Sequence, residues 1–127
     1  MSVLYIQVRK NHITVRNIER KQDVSGSGAF SNQRLLIADF FKAEKVLWDL
    51  IEQIRPRSWL RKLLRTDRFD IVISALEMNE GGLSQVEDRI LQEVVAGATR
   101  MRYRRLITHA QSTPLSDDAV MALIAKR

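Results

Sequence analysis

The 127-residue chain contains no cysteine. That excludes a disulfide framework, a thiolate metal site and a cysteine nucleophile, and it suits a reducing compartment. No apolar run approaches the roughly 18 residues that a transmembrane helix needs. The opening MSVLYIQVRK puts its apolar stretch before its basic residues, whereas a secretory signal carries the charges first and a longer apolar run. A cytoplasmic protein is expected. There is no G-x-S-x-G elbow to present a serine nucleophile. The two histidines, His12 and His109, lie far apart without ligand spacing, and read as turn and strand-end residues.

What is present describes an ordinary globular domain. Apolar residues make up 45% of the chain and charged residues 28%, and the length fits one domain over residues 1–127 with a core that needs no cross-links. Twenty-one basic residues against 15 acids leave a net charge of +6, concentrated locally rather than spread along the chain. Leu4, Ile6 and Val8 alternate with polar or opposite-face residues, and Ile13, Val15 and Asn17 repeat that pattern after Lys10-Asn11, which predicts a β-hairpin with strands near 2–8 and 12–18. A short third strand is expected at Asp23-Val24-Ser25, and Gly26-Ser27-Gly28 reads as a flexible loop.

Residues 35–54, LLIADFFKAEKVLWDLIEQI, carry the clearest helical period, with Ile37, Phe40, Phe41, Val46, Leu47, Leu50, Ile51 and Ile54 on one stripe. Pro56 ends it by disfavouring the helical conformation of Arg55. The near-continuous apolar run Phe69–Leu76 predicts a strand covered on both faces. After Gly81-Gly82, Ser84 and Glu87 have capping-box spacing ahead of a helix with Val86, Ile90, Val94 and Val95 on its apolar side. Tyr103–Thr108 reads as a strand. A last helix starts at Thr113-Pro114 or Ser116, with Asp117 and Asp118 complementing its dipole and Ala119, Val120, Leu123 and Ile124 apolar. The order βββαβαβα predicts an α/β fold, a single mixed sheet with flanking helices.

That order matches the ribonuclease H-like unit of actin-like ATPases. IADFFKAEKVL at 37–47 resembles a helix of the bacterial actin MreB family. The strand, Gly-Gly and S-Q-V-E-D-R over 70–90 are similar to that family's following strand and helix, and Ala96-Gly97-Ala98 to the small-residue end of that helix. LYIQVRKNHITV takes the place of its first hairpin. The resemblance covers most of the chain and only the first subdomain of the family. The whole sequence also resembles a family of small enterobacterial proteins described as stress-responsive. A full actin-like protein buries part of this subdomain against its neighbours, so either a polar rewriting of that face or self-association into a homo-oligomer is expected.

The departures from the MreB pattern bear on chemistry. The family's hairpin holds an Asp-Leu-Gly-Thr phosphate loop; here Gln7-Val8-Arg9-Lys10 supplies neither the carboxylate nor the glycine. The acids of the family's Glu-Glu-Pro segment are missing from Ser112-Thr113-Pro114, and its second phosphate loop and most of its adenine-binding half have no counterpart in these 127 residues. ATP hydrolysis is not expected, and no cofactor or metal is assigned. The metal-dependent nucleases that share the fold need converging carboxylates, including one on the first strand, which has none. Asp39, Glu44 and Asp70 are the other candidates, each read more simply as a solvated or capping acid.

The most unusual stretch is Arg55–Arg68, RPRSWLRKLLRTDR, a basic amphipathic connecting segment with six basic residues, one acid and interleaved Trp59, Leu60, Leu63 and Leu64. Arg57, Trp59, Leu60, Arg61, Leu64 and Arg65 are the candidate interaction residues, for an unknown protein partner or for an anionic membrane surface. A loop packed on the sheet edge is the plainer alternative. A second cluster, Arg100–Arg105, is compatible with nucleic-acid contact or with a solvated junction, the latter favoured. The expectation is a non-enzymatic protein-interaction module derived from an actin-like fold. A peripheral membrane protein and a degenerate nuclease-like nucleic-acid binder are the alternatives.

Overall fold

The computed structural model describes residues 2–54 and 69–126. They form a mixed sheet of five strands in the order β3-β2-β1-β4-β5. The strands are β1 (Ser2–Arg9), β2 (His12–Asn17), β3 (Gln22–Ser27), β4 (Phe69–Ala75) and β5 (Tyr103–Ala110), and the helices are α1 (Phe40–Ile54), α2 (Gln85–Thr99) and α3 (Asp117–Ala125). The first three strands are an antiparallel meander; β4 lies parallel to both β1 and β5. The expected α/β architecture and element order are those observed.

Two cores sandwich the sheet. Leu4, Ile6 and Val8 of β1, Ile13 and Val15 of β2, and Ile71 and Ile73 of β4 meet Leu47, Leu50 and Ile51 of α1 and Leu91, Val94 and Val95 of α2. On the opposite face Val3, Tyr5 and Val72 meet Val120 and Ile124 of α3. The central strands therefore bury both faces, and every residue of β4 is buried. The hairpin turns through Asn11 at φ 54°, the left-handed conformation that asparagine tolerates.

Several sequence expectations are corrected. The helix expected from residue 35 begins at Phe40: Leu36 and Ile37 are buried in a preceding loop, and the Asp39 carboxylate accepts from the Lys42 N–H at 3.2 Å, capping the start. Phe41 lies off the buried stripe of Ala43, Leu47, Leu50, Ile51 and Ile54 and is 76% exposed. Val86 is likewise exposed in the first turn of α2, with Leu91 and Ala98 inside instead. The capping box itself forms, with Glu87 N–H donating to Ser84 Oγ and Ser84 N–H to Glu87 Oε1. Gly26 and Ser27 extend β3 rather than forming a loop. A Cβ on Gly26 would lie 3.3 Å from Leu50, so its lack of a side chain lets α1 settle onto the sheet.

The third helix is tied down electrostatically. Arg16 of β2 grips Asp117, in the first turn of α3, with two hydrogen bonds of 2.8 and 3.0 Å, and reaches Asp23 of β3 at 3.0 Å. The Arg16 hydrogen bonds hold the Asp117 carboxyl below the ordinary carboxylate range and raise the guanidinium in turn. The sheet face beyond α3 carries a row in register across all the strands: Ser25, Thr14, Gln7, Ser74 and His109.

Two measurements test this packing. Leu47→Ala, at a fully buried site, is expected to cost about 2–5 kcal/mol in urea unfolding, whereas Phe41→Ala stays within about 0.5 kcal/mol. The depressed Asp117 pKa contributes stability that is present above the unfolded carboxylate value near pH 4 and is lost as pH falls through the lower folded value. Arg16→Gln removes the cause, so its unfolding midpoint is expected to fall less steeply than the wild type's in acid below about pH 4.

Candidate functional site

In open α/β sheets ligands favour the carboxyl ends of parallel strands where the strand order reverses. Here that place lies where β1 and β4 run side by side, with the β1–β2 hairpin above them. The hairpin's amides are committed to the chain's own side chains. Lys10 N–H donates to Glu77 Oε1 at 2.8 Å, and Asn11 N–H to Ser31 Oγ at 3.0 Å, with Ser31 N–H returning to Asn11 Oδ1 at 2.8 Å. Leu76 N–H donates to Val8 carbonyl oxygen and Asn79 Nδ2 to Ala75 carbonyl oxygen, closing the ends of both strands. A phosphate cradle needs several amides turned toward the ligand; these two turn toward a carboxylate and a hydroxyl.

Around this edge Lys10, Gln33, Arg34, Glu77 and Glu80 line a shallow, mixed-charge cleft. Beside it an apolar hollow between Leu36, Ile37, Ala75, Met78 and Leu91 holds about 30 Å³, the space of one water. The hollow is too small for a small molecule, and the cleft, at about 410 Å³, is open and lacks the mainly apolar lining of such a site.

The sequence-nominated carboxylates are dispersed. Asp39 caps α1. Glu44 lies over Gly97 of α2, where a Cβ would meet its carboxylate at 1.8 Å. Asp70 departs from its reading as a solvated acid: it is 3% exposed and takes two hydrogen bonds from Arg104, at 3.0 and 2.6 Å. Its burial follows from β4 being flanked on both sides, and the bidentate pair compensates the desolvated charge. Among the described residues no three metal-ligating side chains cluster. His12 shares a hydrogen bond with Ser27 across β2 and β3 at 3.2 Å, while His109 sits on β5 with β1 and β4 between the two.

The arginines at 100–105 also have structural work. Arg100 caps α2 in the left-handed conformation and lies over the Trp48 ring at 4.7 Å. Arg104 pairs with Asp70, and Arg105 donates to the carbonyl of Ile124 at the end of α3. The partners that sequence reasoning missed, Glu77, Ser31 and Trp48, are brought in from distant positions, and no local pattern marks them.

Arg57, Trp59, Leu60, Arg61, Leu64 and Arg65, with the connecting segment 55–68 that contains them, lie outside the described residues. The segment leaves from Ile54, the end of α1, and returns at Phe69, the start of β4. Phe69 lies at the amino end of β4, opposite the hairpin edge. The segment holds six of the 21 basic residues and one of the 15 acids, and together with Arg127 it accounts for the whole net charge of +6. The remainder of the chain is electrically neutral.

One measurement probes the hairpin edge. Glu77→Ala is expected to cost about 1 kcal/mol and to accelerate hydrogen exchange of the Lys10 amide, while the amides of β4 keep their protection.

No family model matches the chain. Over all 127 residues, and the full length of both proteins, it is 66% identical to the uncharacterized protein YjaA of Escherichia coli (strain K12). The ethanolamine utilization protein EutJ from Carboxydothermus hydrogenoformans, whose fold is actin-like, superposes with a TM-score of 0.55 at 16% identity over 87% of this chain. The chain spans 37% of EutJ's length, and the likeness is one of fold. No helix among the described residues is long and apolar enough to cross a membrane. The chain belongs to the YjaA family, and its mixed sheet with flanking helices is of the actin-like kind.

Proposed function

We propose that the protein is a non-enzymatic interaction module, an actin-like scaffold that contacts a protein partner through Arg57, Trp59, Leu60, Arg61, Leu64 and Arg65. The observation that carries this reading is the confinement of the chain's excess charge. A neutral body bears one connecting segment in which arginines alternate with tryptophan and leucines, the composition of surfaces that anchor in a partner's groove. The hairpin supports the non-enzymatic part, because its Lys10 and Asn11 amides serve Glu77 and Ser31 rather than a triphosphate. The setting we propose is a cytoplasmic stress response, which the resemblance to small stress-responsive enterobacterial proteins implies.

A second reading rests on the same residues. Trp and Leu among arginines also suit an anionic lipid surface, with the apolar groups at the interface and the charges at the headgroups.

Affinity recovery from stressed cells with the wild type and with Trp59→Ala plus Arg61→Glu separates these readings. The protein-partner reading expects specific proteins that the double variant loses while keeping its circular dichroism spectrum; recovery unchanged by the substitutions overturns it. Flotation with anionic vesicles at low salt checks the membrane reading, which fails if nothing floats. Titration with magnesium and ATP is expected to show no saturable binding, and tight, magnesium-dependent capture would refute the loss of the nucleotide site.

A further inference from the structure

We propose that two copies of this chain pair antiparallel through their β3 strands, joining two sheets into one. The proposal is independent of the basic segment and rests on the contrast between the two edges of the sheet.

The edges are β3 and β5. Exposed strand edges template pairing with other chains, and proteins usually blunt them with charges, prolines or bulges. The β5 edge has such devices: Arg104 and Arg105 lie within it, and its register against β4 shifts between Phe69 and Asp70. The β3 strand, QDVSGS, contains no proline and no basic residue, and its one charge, Asp23, is paired with Arg16 at 3.0 Å.

The direction of the free backbone groups follows from the ladder. Ile18 N–H donates to Val3 carbonyl oxygen, so the even-numbered residues of β2 face β1 and the odd-numbered face β3. Gly28 N–H donating to Asn11 carbonyl oxygen fixes the same phase in the next ladder. Gln22, Val24 and Gly26 therefore bond to β2, and Asp23, Ser25 and Ser27 turn their N–H and C=O groups outward. The side chains of these three are drawn back over the sheet: Asp23 to Arg16, Ser25 to Thr14 at 2.8 Å, and Ser27 to His12 at 3.2 Å. Among the described residues no further strand pairs with these outward groups.

The strand is also complementary to itself. Antiparallel pairing by the outward groups centred on Ser25 sets Ser25 against its symmetry mate, Asp23 against the partner's Ser27 and Val24 against the partner's Gly26. No like charges meet, a carboxylate faces a hydroxyl, and the strand's one apolar side chain faces a glycine. Pairing over Asp23–Ser27, about five residues of each strand, buries less than a standard interface, so the association is concentration-dependent.

Sedimentation velocity over a concentration series is expected to show the 14.7 kDa monomer giving way to a species of twice the mass. Ser25→Pro removes an outward N–H without taking a bond from the β2 ladder, and is expected to stay monomeric with an unchanged circular dichroism spectrum. Ser25→Cys introduces a cysteine into a chain that has none; facing residues of a hydrogen-bonded pair lie about 5.5 Å apart, within disulfide reach. Under mild oxidation it is expected to form a covalent dimer faster than Ser112→Cys, placed in the exposed loop before α3. A wild type monomeric at every concentration, a dimer that survives in folded Ser25→Pro, or equal cross-linking of the two cysteine variants overturns the proposal. If Ser25→Pro does not fold, the cysteine comparison decides.

Discussion

The rest of the molecule depends on the parallel pairing of β1 with β4. Two strands that run the same way cannot be joined by a tight turn, so the chain between them must cross over one face of the sheet. That crossover is α1, and the next one, from β4 to β5, is α2. Both helices pack on the same face, against Leu4, Ile6 and Val8 of β1 and Ile71 and Ile73 of β4. The opposite faces of β1 and β4 still present Val3, Tyr5 and Val72, and α3 returns to cover them. Tyr5 shows how completely this strand is enclosed: its hydroxyl donates to Ser74 Oγ and accepts from Leu115 N–H, so a polar atom is accommodated inside the second core.

The same pairing accounts for the hydrogen bonding at the hairpin edge. With β1 and β4 adjacent, the turn after β4 brings Glu77 beneath the Lys10 amide. A charge-assisted bond to a carboxylate of the same chain needs no ligand to complete it. At this end the Lys10 and Asn11 amides are satisfied by Glu77 and Ser31 of the same chain. The charge of the chain lies elsewhere, in residues 55–68 and Arg127. The described body is formally neutral, and the one strongly basic stretch is the connector.

The body also shows how local electrostatics replaces hydrophobic area where the core is thin. Only Val120 and Ile124 of α3 are buried, and the helix gains its remaining hold from Arg16 on Asp117 and Arg105 on the Ile124 carbonyl. Arg104 and Asp70 join β5 to β4, and on the face opposite α3 Arg100 on Trp48 joins the end of α2 to α1. These arginines looked like a surface cluster in the sequence because strand alternation and helix ends were the only guides to their direction.

Periodicity by itself determined the element order, the buried character of β4, the Ser84–Glu87 cap and the mixed sheet, because each depends on residues within a few positions of one another. It also showed the basic connector, which is a matter of composition. The tertiary structure decided where α1 begins, since Asp39 as a cap outweighs the apolar period through Leu36 and Ile37. It decided that Asp70 is a buried ion-pair partner, that Gly26 belongs to a strand, and that Glu77 closes the hairpin. Those outcomes depend on groups brought together across 24 to 67 positions of chain, and the pairing of such groups is set by the sheet order, which no local pattern records.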